Sequence, residues 1–234
     1  MIELYDRYSQ ESRDLHESLV ATGLSQLGVV IDADGFLPDG LVSPFTYYLG
    51  YEKGKPLYFN QVPVPAFWEI SGNNQSARIE DRTEERAVIH YADGMQARLV
   101  KQVDWKDLEG RVRQVDHYNR FGTCFATTTY SADSEAIMTV YQDVNGQEVL
   151  LENHVTGDIL LTLPGQPIHY FANKVEFIIF FLQDLEIDTS QLIFNTLATP
   201  FLVSFQHPDK SGSDVLVWQE PLYDAIPGNM QLIL

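Results

Sequence analysis

Apolar positions along the chain follow three rhythms, and each predicts a different kind of structure. Ile2, Leu4 and Tyr5 read as a short opening strand. Leu15, Leu19 and Val20 then recur at helical spacing behind Ser9, a natural N-cap, and Gly23 follows as a stop signal. Leu27 to Ile31 is continuously apolar, the mark of a strand covered on both faces. Residues 1–32 therefore predict β-α-β, the opening of an α/β unit. Asp32-Ala33-Asp34-Gly35 supplies the turn that closes it.

From about Ser43 to Leu163 the rhythm becomes alternation. Short segments rich in Tyr, Phe, Val, Ile and Thr are divided by turn signals. These are Glu52-Lys53-Gly54-Lys55, Ser71-Gly72-Asn73-Asn74, Ala92-Asp93-Gly94, Leu108-Glu109-Gly110, Arg120-Phe121-Gly122, Val144-Asn145-Gly146 and Pro164-Gly165. Their spacing varies over roughly 8–15 residues, with no repeat of fixed length evident, and Asp-Gly and Asn-Gly are strong hairpin signals. Ala77 and Ile79 alternate with polar neighbours, as do Met95, Ala97 and Leu99, then Val103 and Trp105. One covered face and one wet face follow from that pattern, so the segment predicts an antiparallel meander.

Beyond Gly165 the pattern shifts again. Val175 to Leu185 predicts a buried helix and Ser190 to Leu197 a second one. Phe201 to Phe205 is an apolar run behind Pro200, and Asp214 to Trp218 reads as a strand. The chain stops on apolar, strand-like Leu232-Ile233-Leu234, which reads as a cut from a longer polypeptide because chain ends are usually polar. The longest apolar run, Phe177 to Leu182, falls far short of the about 20 residues that cross a bilayer. The expected class is mixed α+β: a partial Rossmann-like lobe with a large inserted antiparallel β-meander. Its expected divisions are residues 1–42, 43–171 and 172–234, the last returning to the lobe.

Charge and composition narrow the function. In 234 residues, 33 Asp and Glu outweigh 15 Lys and Arg, a net charge of −18 that disfavours nucleic acid and anionic membrane as partners. The single cysteine, Cys124, excludes an intrachain disulfide and a Cys-rich zinc site, and suits a cytosolic protein. No basic and apolar leader opens the sequence.

Several catalytic chemistries were tested against the residues. The loop after the first strand, Asp6-Arg7-Tyr8, has no glycine, although a phosphate-binding Rossmann turn needs one there. No two of the six histidines have helical metal spacing; His90 and His117 lie in expected strands where they could meet. Asp104, Asp116 and His117 form a loose acid–histidine group around Trp105 and Tyr118. No nucleophile elbow occurs, and Cys124 reads as structural. No catalytic, cofactor or metal residue is assigned. Clustered aromatic residues read either as core on one face of the strands or as an exposed surface for a protein or an extended peptide, with Tyr47, Tyr48, Tyr58, Phe67 and Trp68 as the candidates for the second.

Strings of residues add a resemblance. They include Gln10-Glu11-Ser12, Asp34-Gly35-Phe36-Leu37-Pro38-Asp39-Gly40, Ser43-Pro44-Phe45 and Pro56-Leu57-Tyr58-Phe59-Asn60-Gln61. Asp116-His117-Tyr118-Asn119, Gly146-Gln147-Glu148-Val149-Leu150, Thr156-Gly157-Asp158-Ile159-Leu160-Leu161 and Trp218-Gln219-Glu220 continue them. In this order the chain resembles the accessory, stabilising subunit of the two-component O-GlcNAc transferase that modifies serine-rich-repeat adhesins.

The resemblance implies a degenerate GT-B-like lobe carrying the meander. It implies a subunit that transfers no sugar and uses no cofactor. Its partners would be the catalytic O-GlcNAc transferase subunit, met through the meanders, and the serine-rich adhesin acceptor peptide. Its place would be the cytoplasm or the cytoplasmic face of the membrane. The missing glycine favours the accessory over the catalytic subunit, where that loop is Gly-rich. Two other readings are a free-standing β-rich carbohydrate-active enzyme using Asp104 and Asp116, and a domain of the catalytic subunit itself.

Overall fold

Local sequence explains the opening elements of the computed structural model, which describes residues 1–92, 97–208, 213–218 and 231–233, the last three without side chains. Strand β1 (Ile2–Tyr5) leads to helix α1 (Gln10–Ala21), β2 (Leu27–Val30), β3 (Leu41–Val42) and α2 (Pro44–Tyr47). Ser9 caps α1, its hydroxyl accepting a hydrogen bond from the Ser12 N–H, and Gly23 beyond the last turn takes φ 70°. Glu3 is fully buried; the Tyr5 hydroxyl donates to it at 2.7 Å, and His16 Nδ1 lies 2.6 Å from the same oxygen. This carboxylate ties α1 to β1.

Ten strands follow. They are β4 (Glu69–Gly72), β5 (Ser76–Asp81), β6 (Glu84–Tyr91), β7 (Val100–Lys106), β8 (Val112–Tyr118), β9 (Cys124–Tyr130), β10 (Ala136–Gln142), β11 (Glu148–Asn153), β12 (Ile159–Leu161) and β13 (His169–Phe171). The chain closes with α3 (Lys174–Asp184), β14 (Leu192–Phe194), α4 (Thr199–Gln206), β15 (Val215–Val217) and β16 (Gln231–Ile233). Two compact units result: Met1–Tyr47 with Phe171–Leu234, and Tyr48–Tyr170.

The first unit holds a parallel sheet in the order β16-β15-β14-β1-β2-β3. Counted within the unit this is the doubly wound order, with its switch point between β1 and β14. Helix α3 matches the expected helix. The second expected helix, Ser190 to Leu197, is corrected: its centre is β14, paired with β1 and β15. Leu192, Ile193 and Phe194 are all buried, and a strand covered on both faces shows no alternation to separate it from a helix. Asp214 holds this strand in place, accepting from the Leu192 N–H at 2.9 Å and from the Ser204 hydroxyl at 2.6 Å. The apolar run after Pro200 is α4, with proline in its first turn. The expected Asp93-Gly94 turn, Met95 and the final Leu234 lie outside the described residues.

The second unit is a meander in which every strand pairs with its chain neighbour, from β4 to β13. A fixed repeat does exist here. Strands β7 to β11 begin at Val100, Val112, Cys124, Ala136 and Glu148, twelve residues apart each time. The turns repeat with them. The side-chain oxygen of Asp107, Asn119, Ser131 or Asp143 accepts from the N–H groups two and four residues on. The fourth position of each turn is left-handed: Gly110, Gly122, Ser134 and Gly146 have φ of 80°, 84°, 62° and 76°. This is a type I turn closed by a left-handed residue, the common three-residue hairpin loop.

Substitutions at this shared position should rank by context. Ser134→Gly relieves a left-handed L-residue and should raise stability by about 0.5 kcal/mol. Gly110→Ala and Gly146→Ala meet open space, so backbone strain alone should cost about 1 kcal/mol. Gly122→Ala should cost the most, because a Cβ there collides with the Lys55 carbonyl oxygen. Urea denaturation of the four variants tests the order.

Candidate functional site

The meander's own surface is built by a strap and two unequally covered faces. Residues 48–62 run past successive turns at one end of the sheet. The Val144 N–H donates to the Leu49 carbonyl, and the Tyr51 hydroxyl donates to the carbonyls of Gln142 and Asp143 at 2.9 Å. Gly54 lies so close to Phe121 that a Cβ would strike its carbonyl. The Val100 N–H then donates to the Leu57 carbonyl, and Tyr58 bridges to Leu99. Val62 is buried among Ala77, Ile79, Ala87, Ile89, Val100 and Val103, with Leu57, Phe59, Val64 and Trp68 packed around them.

That cluster covers one face of β5 to β7. Over β9 to β12 the covered face is the opposite one. Ala126, Thr128, Thr139, Tyr141, Leu150, Glu152, Ile159 and Leu161 are buried and lie in matching rows. The reverse face of those strands shows half-buried Met138, Val140, Leu151 and Leu160 beside Thr127 and exposed Thr129. An apolar stripe of the meander is thus left partly open.

The five aromatic candidates are only partly brought together. Tyr47 belongs to the first unit, where its ring meets Phe181 edge-on at 5.2 Å, and Tyr48 is half-buried at the start of the second. Tyr58, Phe67 and Trp68 share the second unit. Tyr58 stacks on Phe59 at 4.8 Å, Phe59 lies 6.2 Å from Tyr91, and the Arg98 guanidinium sits over Phe59 while donating to Asn74. Gly72 makes room for this cluster, since a Cβ would press on Tyr91 and Phe59. Trp68 is half-buried under the Arg86 guanidinium, which pairs with Glu84 and Asp81.

Phe67 stands apart. It is 97% exposed and has φ 72°, a left-handed backbone in a bulky L-residue. Such a conformation costs on the order of 1–2 kcal/mol, and the exposed ring forgoes about 2 kcal/mol of burial. Sequence alone carries no sign of that backbone.

The acid–histidine group does not converge. Asp104 faces Val115 across the sheet and Asp116 faces Val103, so the two carboxylates point to opposite faces. Asp116 accepts from the Trp105 indole N–H at 2.6 Å, from Gln114 and from Thr127. His90 and His117 both flank Gln102 and remain one strand apart. His117 meets Thr128 at 2.9 Å, in a row that continues through Thr139 to His154. Burial pushes the Cys124 thiol up to about 11, away from nucleophilic character. No group of three potential metal-binding side chains occurs among the described residues.

A doubly wound parallel sheet interrupted by a strapped antiparallel meander defines the class of α/β protein to which the chain belongs. Three family comparisons specify it: the GtfB N-terminal domain matches residues 2–48, the GtfB middle domain 68–172 and the GtfB third domain 174–234. The chain belongs to the GtfB family. It is 92% identical, over its whole length, to the UDP-N-acetylglucosamine–peptide N-acetylglucosaminyltransferase stabilizing protein GtfB of Streptococcus pneumoniae serotype 4. With the same-named protein of Streptococcus gordonii it shares 55% identity, again over its whole length. The chain spans about half the length of these relatives, 53% and 52%. A crystal structure of the GtfA/B complex bound to UDP and GlcNAc matches with TM-score 0.91 and 54% identity, covering 98% of this chain and 52% of that one.

The His90–Asp104 pair generates a pH prediction. The bond to Asp104 raises the His90 pKa above its ordinary 6.5. Burial alone would raise Asp104, but bonds from His90 and Gln102 hold it below 3.8. The pair's stabilisation is therefore complete between these two ordinary values. It is lost as pH rises through the raised His90 value, or falls through the lowered Asp104 value. His90→Gln should lower the melting temperature at about pH 5.5 and match the parent at about pH 9. Equal losses at both would remove the pair's role. Comparing variant with parent cancels the opposing effect of His117, whose pKa burial lowers.

Proposed function

We propose that the chain is the lobe-and-meander part of a non-catalytic accessory subunit of a protein O-GlcNAc transferase. In this reading, residues 1–42 and 172–234 build part of a GT-B-like lobe, and residues 43–171 form the meander. The meander pairs with the catalytic transferase subunit and the accessory subunit holds the serine-rich acceptor, in the cytoplasm. Tyr47, Tyr48, Tyr58, Phe67 and Trp68 belong to its contact surfaces.

One observation carries the non-catalytic reading. The loop between β1 and α1 sits where a doubly wound sheet holds a phosphate, yet Ser9 and Arg7 there are already turned to partners of their own. Ser9 accepts from the Ser12 N–H, and Arg7 pairs with Asp32 at 3.1 Å. No glycine lets a phosphate approach, and Glu11 places a negative charge in the first helical turn. The relatives, named as stabilizing proteins of the transferase, support the same reading. The enzyme reading is disfavoured by carboxylates on opposite sheet faces.

The test mixes this chain with the catalytic transferase subunit, UDP-GlcNAc and a serine-rich peptide. A stable complex should form, with transfer only when the catalytic subunit is present. A folded chain that captures neither partner nor peptide, or transfers sugar alone, refutes the proposal.

A further inference from the structure

We infer that Phe67 is a preformed anchor for a folded subunit, its ring entering an apolar pocket rimmed by Lys or Arg. This rests on the reading that the chain pairs with a catalytic transferase subunit, and it assigns the contact point.

Three observations meet at this place. First, Phe67 is both left-handed and 97% exposed, so strain and solvent exposure fall on one residue. Outliers of this kind point to a function that needs them. Second, the segment around it is held firmly. Val62 is buried before it, the Trp68 N–H donates to the Pro65 carbonyl, and Arg86 covers the Trp68 ring. A ring projected from a backbone held in place loses less freedom on docking than one on a loose loop, which favours it as an anchor. Third, Phe67 leads directly into β4, the outermost strand of the sheet, whose outer side pairs with no strand among the described residues.

Charge points to the partner's chemistry. Glu69 on β4 lies directly opposite Glu80 on β5, and Glu80 opposite Glu85 on β6. Glu85 is neutralised by Lys106 and Arg78. Among the described residues no Lys or Arg pairs with Glu69 or Glu80. Like charges facing each other destabilise a sheet, and a cation from outside would relieve them. The shape points to a folded protein. An extended serine-rich peptide could lie along β4, but it has no concavity to enclose a projecting ring. Burying an aromatic side chain on several sides takes a preformed pocket.

Binding of the full chain to the catalytic transferase subunit would be measured by surface plasmon resonance, beside thermal unfolding of the chain alone. Phe67→Gly should weaken binding at least 100-fold without lowering the melting temperature, because it removes the anchor and the strain together. Glu69→Gln should weaken binding several-fold and reduce its salt dependence. Unchanged affinity of Phe67→Gly, with the parent binding, overturns the anchor and leaves the accessory reading standing. A lower melting temperature marks Phe67 as a structural residue and also overturns it. Loss of serine-rich peptide capture with subunit binding intact assigns the site to the acceptor instead, against this inference. Failure of the parent chain to bind overturns both readings.

Discussion

One side-chain oxygen at the head of each of the four turns from β7 to β11 sets the architecture of the middle of the meander. Asp107, Asn119, Ser131 and Asp143 each hold two N–H groups of the following turn, and the left-handed fourth residue turns the chain back. Each strand therefore meets a partner already adjacent in sequence. No long loop has to close, so the entropy of assembly stays local. The capped turns also set register, and register decides which side chains reach the core. The five strands built this way behave as a linear array of similar hairpins within the ten-stranded sheet, each stabilised mainly by its neighbours.

An array without a barrel's closure leaves faces and edges to be dealt with. The strap solves part of this by crossing the turns at one end and burying Val62 against β5 to β7. It can do so only because Gly54 and Gly122 let main chain approach main chain. Cover then passes to the other face over β9 to β12, leaving the Met138–Val140–Leu151–Leu160 stripe half-open. Both open features, the stripe and the β4 edge beside Phe67, are carried by hydrogen-bonded strands of one sheet. Partly apolar surfaces of this kind suit docking between folded proteins.

Sequence revealed the elements whose signals were local. The Ser9 cap, the Gly23 stop, the alternating strands and helix α3 all follow from side chains within a few residues of one another. Strand β14 was hidden because three buried apolar residues in a parallel sheet have no period of their own. The twelve-residue repeat was hidden for a subtler reason. Ser134 stands where the other turns have glycine, so the third turn lacks the signal that marks its neighbours. The surface was less legible still. Asp104, Asp116 and His117 look like a cluster in sequence, but the pleat sends the two carboxylates to opposite faces. Phe67 reads as one aromatic among many until its backbone angle and exposure are known.

The parallel sheet keeps the strand order of nucleotide-binding lobes, while its first loop has no glycine and sets Glu11 in the first helical turn. Ser9 occupies the helix end, Arg7 is engaged by Asp32, and the chain as a whole carries a net charge of −18. A diphosphate approaching it would meet repulsion from the net charge at long range and from Glu11 at short range. In the proposed reading, what this chain contributes to a reaction passes through protein contacts. The meander is where such contacts can be made without disturbing the lobe, because its register depends on its own turns. The proposed division of labour between subunits then has a physical basis: donor chemistry needs an open helix end, whereas docking needs an unpaired edge, which β4 offers among the described residues.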